Sequence, residues 1–400
     1  MSIVSKRLQA VKPSPTLAVT QKAAELKAAG KDVIGLGAGE PDFNTPEHVC
    51  KAAKEAIDAN FTRYTAVAGT LDLRKAICDK FKRENNLDYT PEQIQVACGG
   101  KQNIFNAIMA SVNAKDEVII PAPYWVSYPD ITIIAEGKPV IVDTKKEDGF
   151  RITPNALEAA ITDKTKWLIL NSPSNPTGAG YRKEELEALA EVLRKYPHVW
   201  IMTDDMYEHL VYGDYKFVTF AQVAPDLYDR TLTLNGVSKS FAMTGWRVGY
   251  AAGPVELIKA MNKIQSQSST HTSSISQAAA LAALTGPMEF LAERNAIFYE
   301  RANLVVKKIN EIKGLSVDMP DGAFYVYVDC SEVMGKKTPK GNVINDDTEF
   351  ATYLLESQGV AVVPGVAFGL SPYFRISYAT STEALTEACK RIKAACEALS

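Results

Sequence analysis

Lys239 stands in the stretch TLTLNGVSKSFAMTGWRVGY (231–250). There an apolar strand pattern runs into the small polar turn Gly236-Val237-Ser238-Lys239-Ser240, and Arg247 follows eight residues after the lysine. A lysine held in a partly desolvated pocket loses its proton near neutral pH, and its amine then forms a Schiff base with a carbonyl. A solvated lysine in a polar turn has the same local sequence, so the turn alone does not decide. In IMTDDMYEHL (201–210), Asp204 ends an apolar run and Tyr207 lies three residues on. Acid and phenol there can face one ligand; an N-cap aspartate beside a packed tyrosine fits as well. His209 is read as structural.

Two further stretches bear on anion binding. LILNSPSNPTGAG (168–180) carries Asn175-Pro176-Thr177-Gly178, which is a turn signal in its own right. ACGGKQNI (97–104) places Gly99 and Gly100 where a strand opens into a helix, and free N–H groups at a helix N-terminus suit a phosphate. It is neither a Walker A sequence nor G-x-G-x-x-G. GLGAG (35–39) fails the dinucleotide pattern too, because Glu40 stands in the last glycine position, which counts against a nicotinamide enzyme.

These groups need a frame. Candidate strands at 94–97, 117–120, 139–142, 166–170, 199–203, 231–234 and 248–251 alternate with helical patterns at 101–113, 154–161, 182–195 and 254–267. Several strands are apolar nearly throughout, as expected of a parallel or mixed sheet covered on both faces. A long amphipathic pattern at 287–312 precedes a different texture: strands over 315–329, a helix at 348–358, strands at 360–363 and 374–378, and a helix at 382–399. The division read from this is an arm and part of a small domain at 1–45, a large domain at 46–290 and a small α+β domain at 291–400. The polar clusters at 171–178, 204–207 and 238–239 fall beyond the carboxyl ends of strands, where open α/β sheets bind ligands.

The chain has 400 residues, 46% hydrophobic and 23% charged, with a net charge of −3. That suits a globular enzyme with a core large enough to enclose a dry site, and nothing marks the surface for nucleic acid. Cys50, Cys78, Cys98, Cys330, Cys389 and Cys396 form no C-x-x-C pair and share no metal-like spacing with the four histidines, so no metal is expected. Such scatter reads as buried thiols in a reducing compartment. No apolar leader and no run of 18 apolar residues is present, so no membrane span and a cytoplasmic location are expected.

The motifs taken in order carry more than each alone. LGAGEPDF (36–43), RYTAVAGTLDLR (63–74), GGKQ (99–102), PAPYWVSYPD (121–130), NSPSNPTG (171–178), TDDMYEHL (203–210), SKSFAMTGWRVGY (238–250) and FRISYATS (374–381) together resemble a class I aminotransferase of fold type I. The bacterial aspartate aminotransferase branch Ib is the nearest pattern, and the resemblance spans the whole chain. It implies an α/β fold of the pyridoxal-phosphate transferase type: a large domain with a mostly parallel seven-stranded sheet, and a smaller α+β domain.

The resemblance also implies roles. Lys239 carries pyridoxal 5'-phosphate covalently and moves the proton between the substrate Cα and the cofactor. Asp204 pairs with the pyridine nitrogen, Asn175 and Tyr207 hold the ring's 3-oxygen, and Trp125 stacks on the ring. Gly99, Gly100 and Lys101 cradle the phosphate with Ser238 and Arg247. Tyr64 reaches the phosphate from a partner subunit, which implies a homodimer. Arg375 grips the substrate α-carboxylate in a bidentate pair, Gly39 adds a backbone donor to it, and Trp125 and Asn175 also border the substrate.

On the same ground Lys101 takes the distal carboxylate of a dicarboxylic substrate, with Lys12 and Thr16 assisting; service to the phosphate or the surface is the other reading of Lys101. The expected reaction is L-aspartate with 2-oxoglutarate to oxaloacetate and L-glutamate. Prephenate or aromatic oxo acids are the alternative. Decarboxylases, C–S lyases and acyl transferases share the fold, but Arg375 and the full motif set favour chemistry at the α-proton. A transcription regulator with an aminotransferase-like ligand domain would carry an added DNA-binding region; the enzyme pattern here begins within the first 40 residues with no basic extension, so that reading is not expected.

Overall fold

The computed structural model describes residues 3–11 and 15–400. Twelve strands are described: β1 Ile34–Gly35, β2 Ile94–Ala97, β3 Glu117–Ala122, β4 Lys138–Asp143, β5 Thr165–Asn171, β6 Trp200–Asp204, β7 Thr231–Gly236, β8 Gly249–Ala252, β9 Tyr325–Asp329, β10 Val360–Ala361, β11 Val363–Pro364 and β12 Tyr373–Ser377. Seven form one sheet in the order β2-β8-β7-β6-β5-β3-β4. Only β8 runs against its neighbours β2 and β7; the other pairings are parallel.

Both faces of this sheet are covered, which is why its strands lack a polar alternation. Side chains alternate across a strand. Val118, Ile120, Trp167 and Ile169 pack on one face with Ile104, Ala107 and Ile108 of helix Gly100–Ser111 and with Met261 of helix Val255–Ser266. Ile119, Leu168 and Leu170 pack on the other with Leu157 of helix Pro154–Ala160 and with Leu186, Leu189 and Leu193 of helix Lys183–Arg194. The Trp167 indole N–H donates to Ser111 Oγ at 2.9 Å, so a fully buried ring keeps its polar atom satisfied.

A second assembly lies after helix Phe290–Asn310. There β9, β11 and β12 form an antiparallel sheet of order β11-β12-β9, and β1 pairs in parallel with β10. Phe298, Ala302, Val305 and Ile309 of the long helix share one core with β9, β12 and the helices Asp347–Gln358 and Thr382–Glu397. Both of those helices are capped as their sequences suggest. Asp346 Oδ1 accepts from Glu349 N at 2.8 Å and Ser381 Oγ from Ala384 N at 3.2 Å. Tyr207 and Leu210, just after β6, belong to this second core, so the two assemblies meet at the end of β6.

Several expectations are corrected. The strand reading over 315–329 survives only at Tyr325–Asp329. Pro320 and Gly322 turn the chain before it, and Ser316 merely bridges Asp329. The run 360–363 splits between two sheets. Helices Pro15–Ala28, Glu47–Asp58, Leu71–Asn85, Ser127–Ile134 and Ser274–Thr285 were not anticipated. Of the six cysteines, Cys50, Cys78 and Cys98 are only partly buried, and all six are free thiols.

One close approach ties sheet to site. A Cβ on Gly249 would overlap the backbone of Gly99 and Gly100, so β8 packs directly under the turn that opens helix Gly100–Ser111. Gly249→Ala should therefore cost about 1–3 kcal/mol in urea unfolding through overpacking. A midpoint identical to the parent's would contradict the packing described.

Candidate active site

The carboxyl ends of β5, β6 and β7 open into a cleft of about 430 Å³. Its charged lining is uneven: Lys101, Lys239, Arg247 and Arg375 against Asp204 and Glu40. Asn171 ends β5, Asp204 ends β6, and Lys239 follows β7 by three residues, so three neighbouring parallel strands deliver chemistry to one place.

Lys239 points its amine across the cleft to the carbonyl of Gly39. Burial, and next the positive Arg375 nearby, bring its pKa down from the usual 10.5 to about 8, with Glu40 pulling the other way. Asp204 is buried, which pushes its carboxyl above the ordinary range. Tyr128 Oη, donating to Oδ2 at 2.7 Å, and the Met206 amide at 3.4 Å from Oδ1 work against that. A cation brought against this carboxylate offsets the desolvation.

Arg375, on β12, is 3% exposed. It donates to Asn175 Oδ1 and to the Gly37 carbonyl, each at 2.7 Å, and lies over the Tyr325 ring at 4.4 Å. Its Nε has no partner, and none of the described carboxylates pairs with it. Asn175 is held by its own backbone N–H on Asn171 Oδ1 at 2.8 Å. With its oxygen given to Arg375, its amide nitrogen is the group left for the cleft. The Tyr207 and Tyr325 hydroxyls lie 3.1 Å apart, both rings buried and both lining the cleft.

Opposite, Gly100 and Lys101 at the start of helix Gly100–Ser111 line the cleft together with Ser238 and Arg247, and the free N–H groups of a helix's first turn beside a cation suit a phosphate. Gly99 takes a smaller part than expected. Its N–H already donates to Ala97 O at 2.7 Å and it does not line the cleft; its φ of +87° makes the turn that lets the Arg247 guanidinium lie against it. Arg247 itself is braced by the Thr244 and Cys98 carbonyls at 2.9 and 3.2 Å. Trp125 lines the cleft with the Lys101 amine 4.9 Å from its ring centre, and burial, then Arg247, lower the Lys101 pKa.

Tyr64 lies outside its own chain's cleft, 89% exposed, with its ring edge-on to His271. Lys12 and the Thr16 side chain lie outside the described residues. Sequence reading passed over Tyr128, Asn171 and Tyr325. The first two sit inside quoted motifs and carried a signal; Tyr325 reads as an ordinary strand tyrosine. Away from the cleft, Glu84, Glu208 and His209 offer ligand atoms within 4.8 Å of one another, but the buried Lys80 ammonium lies among them, bonded to Glu208 and Asn85.

A buried arginine without a counter-ion, a lysine of lowered pKa, a buried acid and a phosphate cradle around one cleft fit pyridoxal 5'-phosphate with an amino-acid carboxylate beside it. That arrangement on this sheet defines an enzyme of fold type I. Residues 31–392 match the family Aminotransferase class I and II, and the chain belongs to it. It is 62% identical over 400 residues to the aspartate/prephenate aminotransferase of Cereibacter sphaeroides, each chain covered in full. An aspartate aminotransferase of Rhizobium meliloti is 57% identical over 396 residues, covering 99% of this chain and 97% of that one. The crystal structure of the aspartate aminotransferase from Rhizobium meliloti superposes with a TM-score of 0.98 at 56% identity, covering all of both chains. That of Thermus thermophilus with maleate gives 0.92 at 44%, covering 99% of this chain and 100% of that one. The enzyme is an aminotransferase, and pyridoxal 5'-phosphate is its cofactor.

The lysine sets a pH signature. Below about 8 the folded chain holds Lys239 as a desolvated cation; between there and the ordinary 10.5 the unfolded chain binds more protons than the folded one. Stability from this group therefore rises with pH across that window. In the cofactor-free protein, labelling of Lys239 by an amine-reactive reagent, followed by mass spectrometry, should show a midpoint near 8. Arg375→Met should move it upward, and an unperturbed lysine titration in the parent would refute the electrostatic account.

Proposed function

We propose that this chain transfers the amino group of L-aspartate to 2-oxoglutarate, giving oxaloacetate and L-glutamate, as a homodimer in the cytoplasm. The observation that carries the reading is the double cationic character of the cleft: Arg375 buried and short of a carboxylate at one wall, Lys101 beside Trp125 at another. A dicarboxylate satisfies both.

Bound pyridoxal 5'-phosphate supplies an electron sink that lets the substrate Cα–H ionise. The chain does the rest. Gly100 and Lys101 N–H groups, Ser238 and Arg247 would hold the phosphate, Asp204 the ring nitrogen, Asn175 and Tyr207 the 3-oxygen, and Trp125 the ring face. Arg375 binds the α-carboxylate through a planar fork that a lysine could not replace. Lys239, with a pKa of about 8, is poised to take a proton from Cα and return it, near the pH where a general base is most effective. The Tyr325 and Phe368 rings under Arg375 keep water from that corner.

The homodimer reading rests on Tyr64, whose exposed ring has no place in its own cleft, and on exposed Ile57, Phe61 and Leu71 nearby in sequence. Free, partly buried thiols suit a reducing cytoplasm. No described helix is long and apolar enough to cross a membrane. The domain division at 1–45, 46–290 and 291–400 is proposed with it. Prephenate is a second substrate reading, favoured by the name of the Cereibacter sphaeroides relative and by a cleft that offers the same second cation.

Mixing the loaded enzyme with L-aspartate and no acceptor should release one equivalent of oxaloacetate per active site. Release of oxo acid from glutamate or aromatic donors alone would overturn the aspartate assignment. Lys101→Ser should lower kcat/KM for aspartate by on the order of tenfold or more, the loss of a charge-assisted contact, while sparing alanine. Equal losses for both amino acids would assign Lys101 to the phosphate instead.

A further inference from the structure

We infer that Tyr128 is a positioning residue for the cofactor ring, acting through Asp204. Tyr128 stands in the first turn of helix Ser127–Ile134 and is 2% exposed. Its hydroxyl reaches behind the cleft wall to Asp204 Oδ2 at 2.7 Å. The phenol keeps its proton, because burial and the neighbouring carboxylate both raise its pKa far above 10, so it is the donor and Asp204 the acceptor. Tyr128 does not line the cleft, so it touches the ligand space only through other side chains.

The geometry assigns it a specific task. Asp204 is buried at the end of β6 and has few protein donors: the Tyr128 hydroxyl on one oxygen and the Met206 amide, at 3.4 Å, on the other. Among the described residues Tyr128 therefore supplies the one short side-chain bond to this carboxylate, which favours its anion against desolvation and fixes its plane. It occupies Oδ2 and leaves Oδ1, with a single long bond, as the oxygen with capacity to spare. The Tyr128 ring is itself held edge-on to Trp125, centroids 5.3 Å apart at 75°, so the hydroxyl cannot swing away from the acid without disturbing the indole that borders the cleft. The carbonyl of Asp204 is pinned separately, by the Asn171 side chain at 2.8 Å, so loss of the phenol frees the carboxylate without freeing the strand.

The inference rests on the reading that Asp204 faces the ring nitrogen, and the test separates the two. Cofactor-free protein is titrated, by quenching of its tryptophan fluorescence, with pyridoxal 5'-phosphate and with its 1-deaza analogue, in which carbon replaces the ring nitrogen. The parent protein should favour the natural compound. Tyr128→Phe keeps the ring against Trp125 and removes the hydroxyl; it should lose on the order of tenfold in affinity for pyridoxal 5'-phosphate and nothing for the analogue. In an Asp204→Asn background the same substitution should cost nothing further. Equal losses for both compounds would make Tyr128 a packing residue, and no loss for either would leave it without a role; each result overturns the inference while leaving the Asp204 reading intact. A parent protein that binds both compounds equally would bring down the Asp204 reading and this inference together.

Discussion

A guanidinium buried without a counter-ion is the constraint around which this molecule is arranged. Removing a cation from water is expensive, and a protein normally answers with a paired acid. Arg375 receives neutral partners instead: the Gly37 carbonyl, the Asn175 side-chain oxygen, and the faces of Tyr325 and Phe368. Each comes from a different part of the chain. The segment after β1, the turn after β5, the strand β9 and the turn before β12 all converge on this one cation, so the cleft is complete only where the second assembly meets the large sheet.

The same desolvation acts with opposite sign on the acid and the base. It raises the carboxyl of Asp204 and lowers the amine of Lys239, and each shift disfavours charge. Left alone, the two groups drift toward neutrality. What distinguishes them is their company. Lys239 has Arg375 and Arg247 nearby, which add to its desolvation, and Glu40 and Asp204 offset them only in part, so its neutral form is favoured more than an ordinary lysine's. Asp204 has Tyr128 donating to it, so its anion is supported. An amine that releases its proton near pH 8 and an acid whose anion has a donor in support are what proton movement at a carbon needs, and both follow from which neighbours the strand ends supply.

The parallel sheet was legible in the sequence because its strands, buried on both faces, are nearly all apolar; the matches at 94–97, 166–170 and 231–234 come from that. The helices 71–85 and 274–285 were not, since LDLRKAICDKFKREN is mostly polar and SISQAAALAALT mostly small, and neither shows a clean apolar stripe before its neighbours are known. Asp204 and Lys239 stand where apolar runs end, which marked them only weakly; it was the resemblance carried by the motifs in order that singled them out, and both line the cleft. Tyr128 was marked only by its motif and Tyr325 by nothing, because a tyrosine's role depends on what its hydroxyl meets, and here that partner is 76 residues away in one case and 118 in the other. Gly99 shows the reverse: the motif marked it for its N–H, which meets the Ala97 carbonyl, while its left-handed backbone is what lets the Arg247 guanidinium lie against it.

The segment 37–40 ties these points together. Its carbonyls take the Arg375 guanidinium and the Lys239 amine, and the Glu40 carboxylate accepts from Thr244 Oγ1 at 2.8 Å. Of the five N–H donors of Arg375, two are engaged among the described residues. The orphaned Nε–H and one hydrogen on each terminal nitrogen remain, which is enough for a carboxylate to bind without first expelling Gly37 or Asn175. The Lys239 amine spends one hydrogen on the Gly39 carbonyl and keeps capacity beyond it, so segment 37–40 meets the base at Gly39 and the guanidinium at Gly37 at once, and the placing of both groups depends on one stretch of backbone.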